Sequence, residues 1–193
     1  MSSDLGRDFS SELADRFSFS QNDIVEIDKQ KLYKIKMLAL DVDGILTDCR
    51  IWYDGQGQWR RFFSIRDGAG IKRLIDHGYQ LAIITGSQSE DIRERAKSLK
   101  IHYFFEGALD KVPSFQKLIE QSKLKPEEIA YMGDDYFDIP LLKDVGFSAT
   151  APEAMPEVID VVDYVCQRPG GNGAVREVCD LIFQFGALTG EQQ

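Results

Sequence analysis

Apolar and polar positions alternate in two distinct rhythms along the chain. Leu38-Ala-Leu is a short apolar run, and Asp41-Val42-Asp43-Gly44 follows it. Such a run, bounded by a turn residue, reads as a buried strand. Beyond Asp67 the rhythm becomes helix, strand, helix. Ile71, Leu74 and Ile75 share one helix face, with Gly78 at its C-terminal end. Gln80–Thr85 is a strand, Ile92, Ala96 and Leu99 mark a helix, and Tyr103–Phe105 is a short strand. Phe115, Leu118 and Ile119 give another helix, with Pro113 in its first turn. The strand Ile129–Met132 precedes a helix near Phe137–Lys143, which Pro140 restricts to beginning close by. Phe147–Ala149 and Tyr164–Cys166 are further strands, and Val175, Val178, Ile182 and Phe185 mark the last helix. The alternation predicts an α/β fold, a doubly wound and mostly parallel sheet covered on both faces.

Two stretches depart from this rhythm. Cys49–Tyr53 and Gln58–Ile65 flank the turn Asp54-Gly55-Gln56-Gly57, which predicts a β-hairpin over 49–65. It carries Trp52, Tyr53, Trp59, Phe62 and Phe63, a density of aromatics that suits a subunit contact. Residues 1–36 are polar, with one helical turn around Ser11–Phe17, and read as an N-terminal extension. The domain is expected over 37–186, with a tail at 187–193.

Composition narrows the possibilities. A net charge of −9 argues against broad binding to nucleic acid or anionic membranes, yet leaves room for a local basic pocket. Cys49, Cys166 and Cys179 have neither metal-type spacing nor an even count, which suits a reducing compartment. No apolar stretch has the length of a membrane span, and acidic residues interrupt any signal-peptide pattern near the start; the cytoplasm is the expected location.

The chemistry falls where a parallel sheet puts it, just beyond the carboxyl ends of the strands. Strand one ends in Asp41 and Asp43, the next core strand in Thr85-Gly86-Ser87, and Asp110-Lys111 follows Tyr103–Phe105. Another strand ends in Gly133-Asp134-Asp135, with Asp138 one helical turn on. Two carboxylates at a buried strand end repel and are costly to desolvate, and a hard divalent cation relieves both problems. The set suits phosphoryl transfer through an aspartyl phosphate. An aspartate acts as nucleophile, and Lys111 offsets charge on the transferring group. The Thr85 hydroxyl orients that group, and Asp43 serves as general acid and base. A receiver-type phospho-acceptor signalling domain shares aspartates, a hydroxyl and a lysine around Mg²⁺. It has no use for Asp43 as an acid, for Gly133-Asp134-Asp135, or for the hairpin.

Asp41-Val42-Asp43-Gly44, Thr85-Gly86, Lys111 and Gly133-Asp134-Asp135-Tyr136-Phe137-Asp138 resemble the four motifs of the haloacid dehalogenase superfamily. The resemblance implies a Rossmann-like sheet, Asp41 as nucleophile and Asp43 as acid/base. It also implies Mg²⁺ held by Asp41, the Asp43 carbonyl and Asp134, with Asp135 or Asp138 behind them. The hairpin is too short to be a cap domain. Asp41–Asp48, Arg66-Asp67-Gly68 and Gly170-Gly171-Asn172-Gly173-Ala174-Val175-Arg176-Glu177 are similar to the 3-deoxy-D-manno-octulosonate 8-phosphate (KDO 8-phosphate) phosphatase family. That likeness implies a sugar-acid phosphate substrate on the way to lipopolysaccharide. It implies a capless homotetramer assembled through the hairpin, with the Gly-rich segment as a flexible tail near a neighbour's site. The implied substrate-binding set is Thr85, Gly86, Ser87, Lys111, Arg66, Asp67, Gly68 and Arg95. The family commonly has an arginine where Ser87 stands, facing the substrate carboxylate. A serine makes no bidentate charged contact, so Arg66 or Arg95 is expected to substitute, or the substrate is a nine-carbon keto-sugar acid 9-phosphate.

Overall fold

The computed structural model describes residues 27–190. The helical turn expected around Ser11–Phe17 lies outside them. Six strands form one parallel sheet: β1 (Met37–Leu40), β4 (Gln80–Ile84), β5 (Tyr103–Phe105), β6 (Ile129–Met132), β7 (Phe147–Thr150) and β8 (Tyr164–Val165). The order across the sheet is β5-β4-β1-β6-β7-β8, all neighbours parallel. From β1 the chain winds outward to β4 and β5, then returns to β6 on the other side. The direction of winding therefore reverses between β1 and β6, which is where such sheets open a crevice for ligands.

Strand periodicity divides the core. Leu38 and Leu40 of β1 face one side, packed with helices α2 (Ile65–Asp76), α3 (Glu90–Leu99) and α7 (Ala174–Phe185) through Ile71, Leu74, Ile92, Val178 and Ile182. Met37 and Ala39 face the other, packed with α4 (Val112–Ser122), α5 (Ile139–Asp144) and α6 (Pro156–Ile159) through Phe115, Leu118, Leu141 and Val158. Because both faces are covered, β1, β6 and β7 are buried along their whole length. A last short helix, α8, spans Ala187–Gly190.

The sheet, its alternation with helices and the hairpin match the fold expected from the sequence. β2 (Ile51–Tyr53) pairs antiparallel with β3 (Trp59–Arg61), and α2 starts at Ile65 behind the N-cap Ser64. Pro140 lies in the first turn of α5, after a 3₁₀ turn at Tyr136–Asp138. One stretch differs in character from its composition. Residues 29–36, polar on average, include α1 (Lys29–Lys34), and Leu32 and Ile35 are fully buried in the core cluster that contains α7. Asp28 caps this helix, accepting from the amides of Gln30 and Lys31. Two apolar residues on one face suffice to seat so short a helix, too few to register in a composition average.

Candidate active site

The carboxyl ends of β1 and β6 bring three carboxylates together. One oxygen each from Asp41, Asp134 and Asp138 lies within 4.8 Å of the others. Asp138 is completely buried and fully engaged. Lys111 Nζ donates to its Oδ1 at 2.5 Å, the Tyr131 hydroxyl donates to the same oxygen, and the amides of Asp134 and Asp135 donate to Oδ2, both at 3.1 Å. Lys111 Nζ also lies 2.9 Å from Asp41 Oδ2. Burial alone would discharge this lysine, but the charges of Asp41 and Asp138 outweigh it and raise its pKa. Lys111 is therefore a fixed cation, held by one carboxylate and presented to another.

Asp41 and Asp134 sit differently. Burial pushes Asp41 well above the usual carboxylate range, partly offset by Lys111. Burial and the Asp138 charge push Asp134 up to about 7. With Lys111 shared, this pair is short of positive charge. Gly44, at φ +84°, lets Asp134 approach the chain just past β1: a Cβ there would stand 1.9 Å from Asp134 Oδ2. Crowded hard oxygen donors short of compensating charge are what a divalent cation of the Mg²⁺ type requires. The expected magnesium fits this donor set.

Asp43 is pinned from another direction. Arg61, the last residue of β3, donates from Nε to Oδ1 at 2.6 Å and from a terminal nitrogen to Oδ2 at 3.1 Å. The Ser87 hydroxyl donates to Oδ2 at 2.7 Å, and Thr47 Oγ1 donates to Oδ1 at 3.4 Å. Burial works against the charged form, yet these hydrogen bonds and the Arg61 charge hold Asp43 below its ordinary value. Sequence reasoning missed Arg61. Its only signal was a pair of arginines in an aromatic strand, and nothing in the spacing ties a hairpin cation to Asp43.

Thr85 is buried at the end of β4, its amide on Phe105 and its hydroxyl accepting from the Ser87 amide at 3.1 Å. Gly86 follows, packed against Leu109, where a Cβ would come within 3.3 Å of the leucine side chain. Three residues expected to bind substrate make contacts within the framework. The Asp67 carboxylate accepts from the amides of Gly173 and Arg176 at 3.3 and 2.8 Å, so it caps α7. Arg95 donates to the Ser64 carbonyl at 2.7 Å and lies over the Phe63 ring. Gly68 leaves space for that guanidinium, since a Cβ would meet it at 2.5 Å. Asp67 and Arg95 thus already make framework contacts, while Arg95 Nε is buried without a hydrogen-bond partner. Arg66 is exposed.

The Gly-rich segment also departs from expectation. Instead of a flexible tail, Gly170 and Gly171 are wedged against the loop that follows Asp43. The Gly171 amide donates to the Ile45 carbonyl at 2.9 Å, and a Cβ on Gly170 would lie 1.8 Å from the Gly44 carbonyl oxygen. Buried Glu177 locks the preceding turn, accepting from the Tyr164 hydroxyl and the amides of Gln167 and Arg168.

A model of the haloacid dehalogenase-like hydrolases matches residues 68–151. The KDO 8-phosphate phosphatase of Yersinia pestis is 39% identical over 153 residues, 79% of this chain and 82% of the relative. That of Escherichia coli K12 is 40% identical over 152 residues, 79% and 81%. The chain belongs to the KDO 8-phosphate phosphatase family. Among solved structures, the Yersinia pestis phosphatase superposes with a TM-score of 0.81 at 37% identity, covering 85% of this chain and 88% of the other. The phosphatase of Moraxella catarrhalis, solved with magnesium, phosphate and KDO, gives 0.80 at 37% identity, covering 84% and 94%. Membership makes the chain a phosphoric monoester hydrolase, and the receiver-type alternative falls away.

Proposed function

We propose that this protein hydrolyses KDO 8-phosphate to KDO and inorganic phosphate, with Mg²⁺, through an aspartyl phosphate on Asp41. The observation that carries the reading is the meeting of Asp41, Asp134 and Lys111 at the carboxyl edge of β1 and β6, in a chain about 40% identical to KDO 8-phosphate phosphatases. Asp41, the Asp43 carbonyl and Asp134 would hold the magnesium, which supplies positive charge to the phosphoryl oxygens. Lys111, positioned by Asp138 and Tyr131, adds a second positive charge at that group, and Thr85 and the amides beside it orient the phosphate.

Asp41 attacks phosphorus as the ester bond to the sugar oxygen breaks. That oxygen departs with a proton from Asp43. Asp43, now a base, takes a proton from water. The water oxygen bonds to phosphorus, the acyl phosphate bond breaks, and Asp41 is restored as phosphate leaves. Arg66, exposed near the start of α2, and Arg95, whose Nε is buried without a partner, are the two cations expected for the substrate carboxylate.

The same family reading supports a homotetramer built on the aromatic hairpin, a cytoplasmic location and a place in lipopolysaccharide precursor synthesis. Among the described residues no helix is long and apolar enough to cross a membrane. The deciding experiment compares phosphorylated eight- and nine-carbon keto acids with hexose phosphates, with and without Mg²⁺. Fastest Mg²⁺-dependent release from KDO 8-phosphate is expected. A preference for the nine-carbon ester would move the assignment to that substrate, and a preference for hexose phosphates would overturn it.

A further inference from the structure

The hairpin does more than present aromatics outward, because its final residue points inward. Arg61 has a side chain only 9% exposed, and all three of its guanidinium nitrogens are engaged. Nε and one terminal nitrogen grip both oxygens of Asp43, and that terminal nitrogen also donates to Ser87 Oγ at 3.0 Å. The other terminal nitrogen donates to Ser89 Oγ at 3.0 Å and lies 3.5 Å from Asp91 Oδ1. The Arg61 amide donates to Asp91 Oδ2 at 2.8 Å, which ties the end of β3 to the start of α3. Asp91 is itself fixed by the Ser89 hydroxyl and the Ile92 amide.

This is a clamp with a fixed base. Asp91 and Ser89 hold the arginine, and the arginine holds the carboxylate in a two-pronged grip that also fixes its rotation. A neighbouring cation on the hairpin shows the contrast. Arg60 pairs with Asp54 inside the hairpin and does not reach the site.

We propose that Arg61 is a positioning residue for Asp43, so that each subunit's hairpin aims the proton donor of its own active site. The inference rests on the role given to Asp43 above. It extends that role by making proton delivery depend on the hairpin, with Ser87 as the second contact on the same carboxylate oxygen. The grip on both oxygens favours the carboxylate form, so what Arg61 contributes is aim and not proton affinity. A misaimed acid costs most where the leaving oxygen must be protonated, and little where it leaves unaided.

The test uses full-length enzyme saturated with Mg²⁺ and two esters. The sugar alkoxide of KDO 8-phosphate needs a proton to leave, whereas p-nitrophenolate does not. Arg61→Met is expected to lower kcat on KDO 8-phosphate by about 10- to 100-fold, and on p-nitrophenyl phosphate by less than about threefold, with KM for both nearly unchanged. Arg61→Lys, which keeps the charge without the fork, recovers part of the loss. Arg60→Met leaves both rates as they were. Ser87→Ala shows the same selectivity on a smaller scale and serves as the readout should Arg61→Met fail to fold. An equal loss on both esters, a change in KM alone, or no loss overturns the proposal. Asp43→Asn separates the two levels. If it keeps full turnover of KDO 8-phosphate, the acid assignment itself is wrong; if it loses turnover while Arg61→Met and Ser87→Ala show no leaving-group dependence, only the clamp is wrong.

Discussion

At the carboxyl edge of the sheet, Lys111 and Asp138 are all but sealed from solvent, and nearly every polar atom around them has a partner. At the hairpin the balance is reversed. Trp52 is 45% exposed, Phe62 68% and Ile65 87%, and the aromatics pair mainly with one another, Trp52 with Phe62 and Tyr53 with Trp59. The first region buries charge and satisfies it; the second exposes apolar surface and leaves it uncovered by the other described residues. A buried ionic cluster is rigid because each removal strands a charge. An exposed aromatic patch costs little to the lone chain and acquires its value when a partner covers it. Arg61, of β3, ties the hairpin to Asp43 through a nearly buried guanidinium.

That contrast breaks most sharply at Asp41, the proposed nucleophile. Asp41→Asn is expected to reduce phosphate release by about 10⁴-fold or more, while the circular dichroism and melting curve remain those of a folded protein. Near-normal turnover would remove Asp41 from its role. Asp138→Ala strikes the same cluster from behind. It leaves Lys111 buried with Asp41 as its one carboxylate partner beside the Tyr131 hydroxyl, and should lower stability by about 3 kcal/mol in denaturant unfolding, with activity falling in parallel. Were stability unchanged, the lysine would have another anchor.

Two smaller effects sharpen the comparison. Gly170→Ala adds a methyl 1.8 Å from the Gly44 carbonyl oxygen, so the loop beside Asp134 must move. The expected cost is about 1–3 kcal/mol, together with a higher Mg²⁺ concentration for half-maximal rate. An unaltered magnesium dependence would show that the Gly-rich wedge does not support the site. Trp52→Asp should change the stability of the subunit itself by under about 0.5 kcal/mol, yet split the oligomer in light scattering. A wild-type monomer in that measurement would remove the assembly role of the hairpin.

The strands and their order of appearance were legible because burial on both faces leaves continuous apolar runs in β1, β4 and β6. The polar residues that follow those runs stood out against them. Asp41, Thr85, Lys111 and Asp134 could be picked from the chain for this reason, and the sheet needed only to bring their strand ends together. What could not be read depended on which distant groups meet. Asp67 and Arg95 carried the right chemistry for a ligand, and the fold also gives them contacts with α7 and with the Ser64 carbonyl. The glycines at 170–173 suggested mobility, yet Gly44 and Thr47 press against Gly170 and Gly171, and the Arg168 side chain against Gly173. Leu32 and Ile35 are too few to mark a helix until α7 offers a surface to bury them. Arg61 looked like one more charge on a hairpin until Asp43 was found in its grip. A sequence thus determines local periodicity and the kinds of group available at strand ends. Only the packed chain decides which of those groups are already satisfied, because a hydrogen bond or a close contact is a property of two places at once.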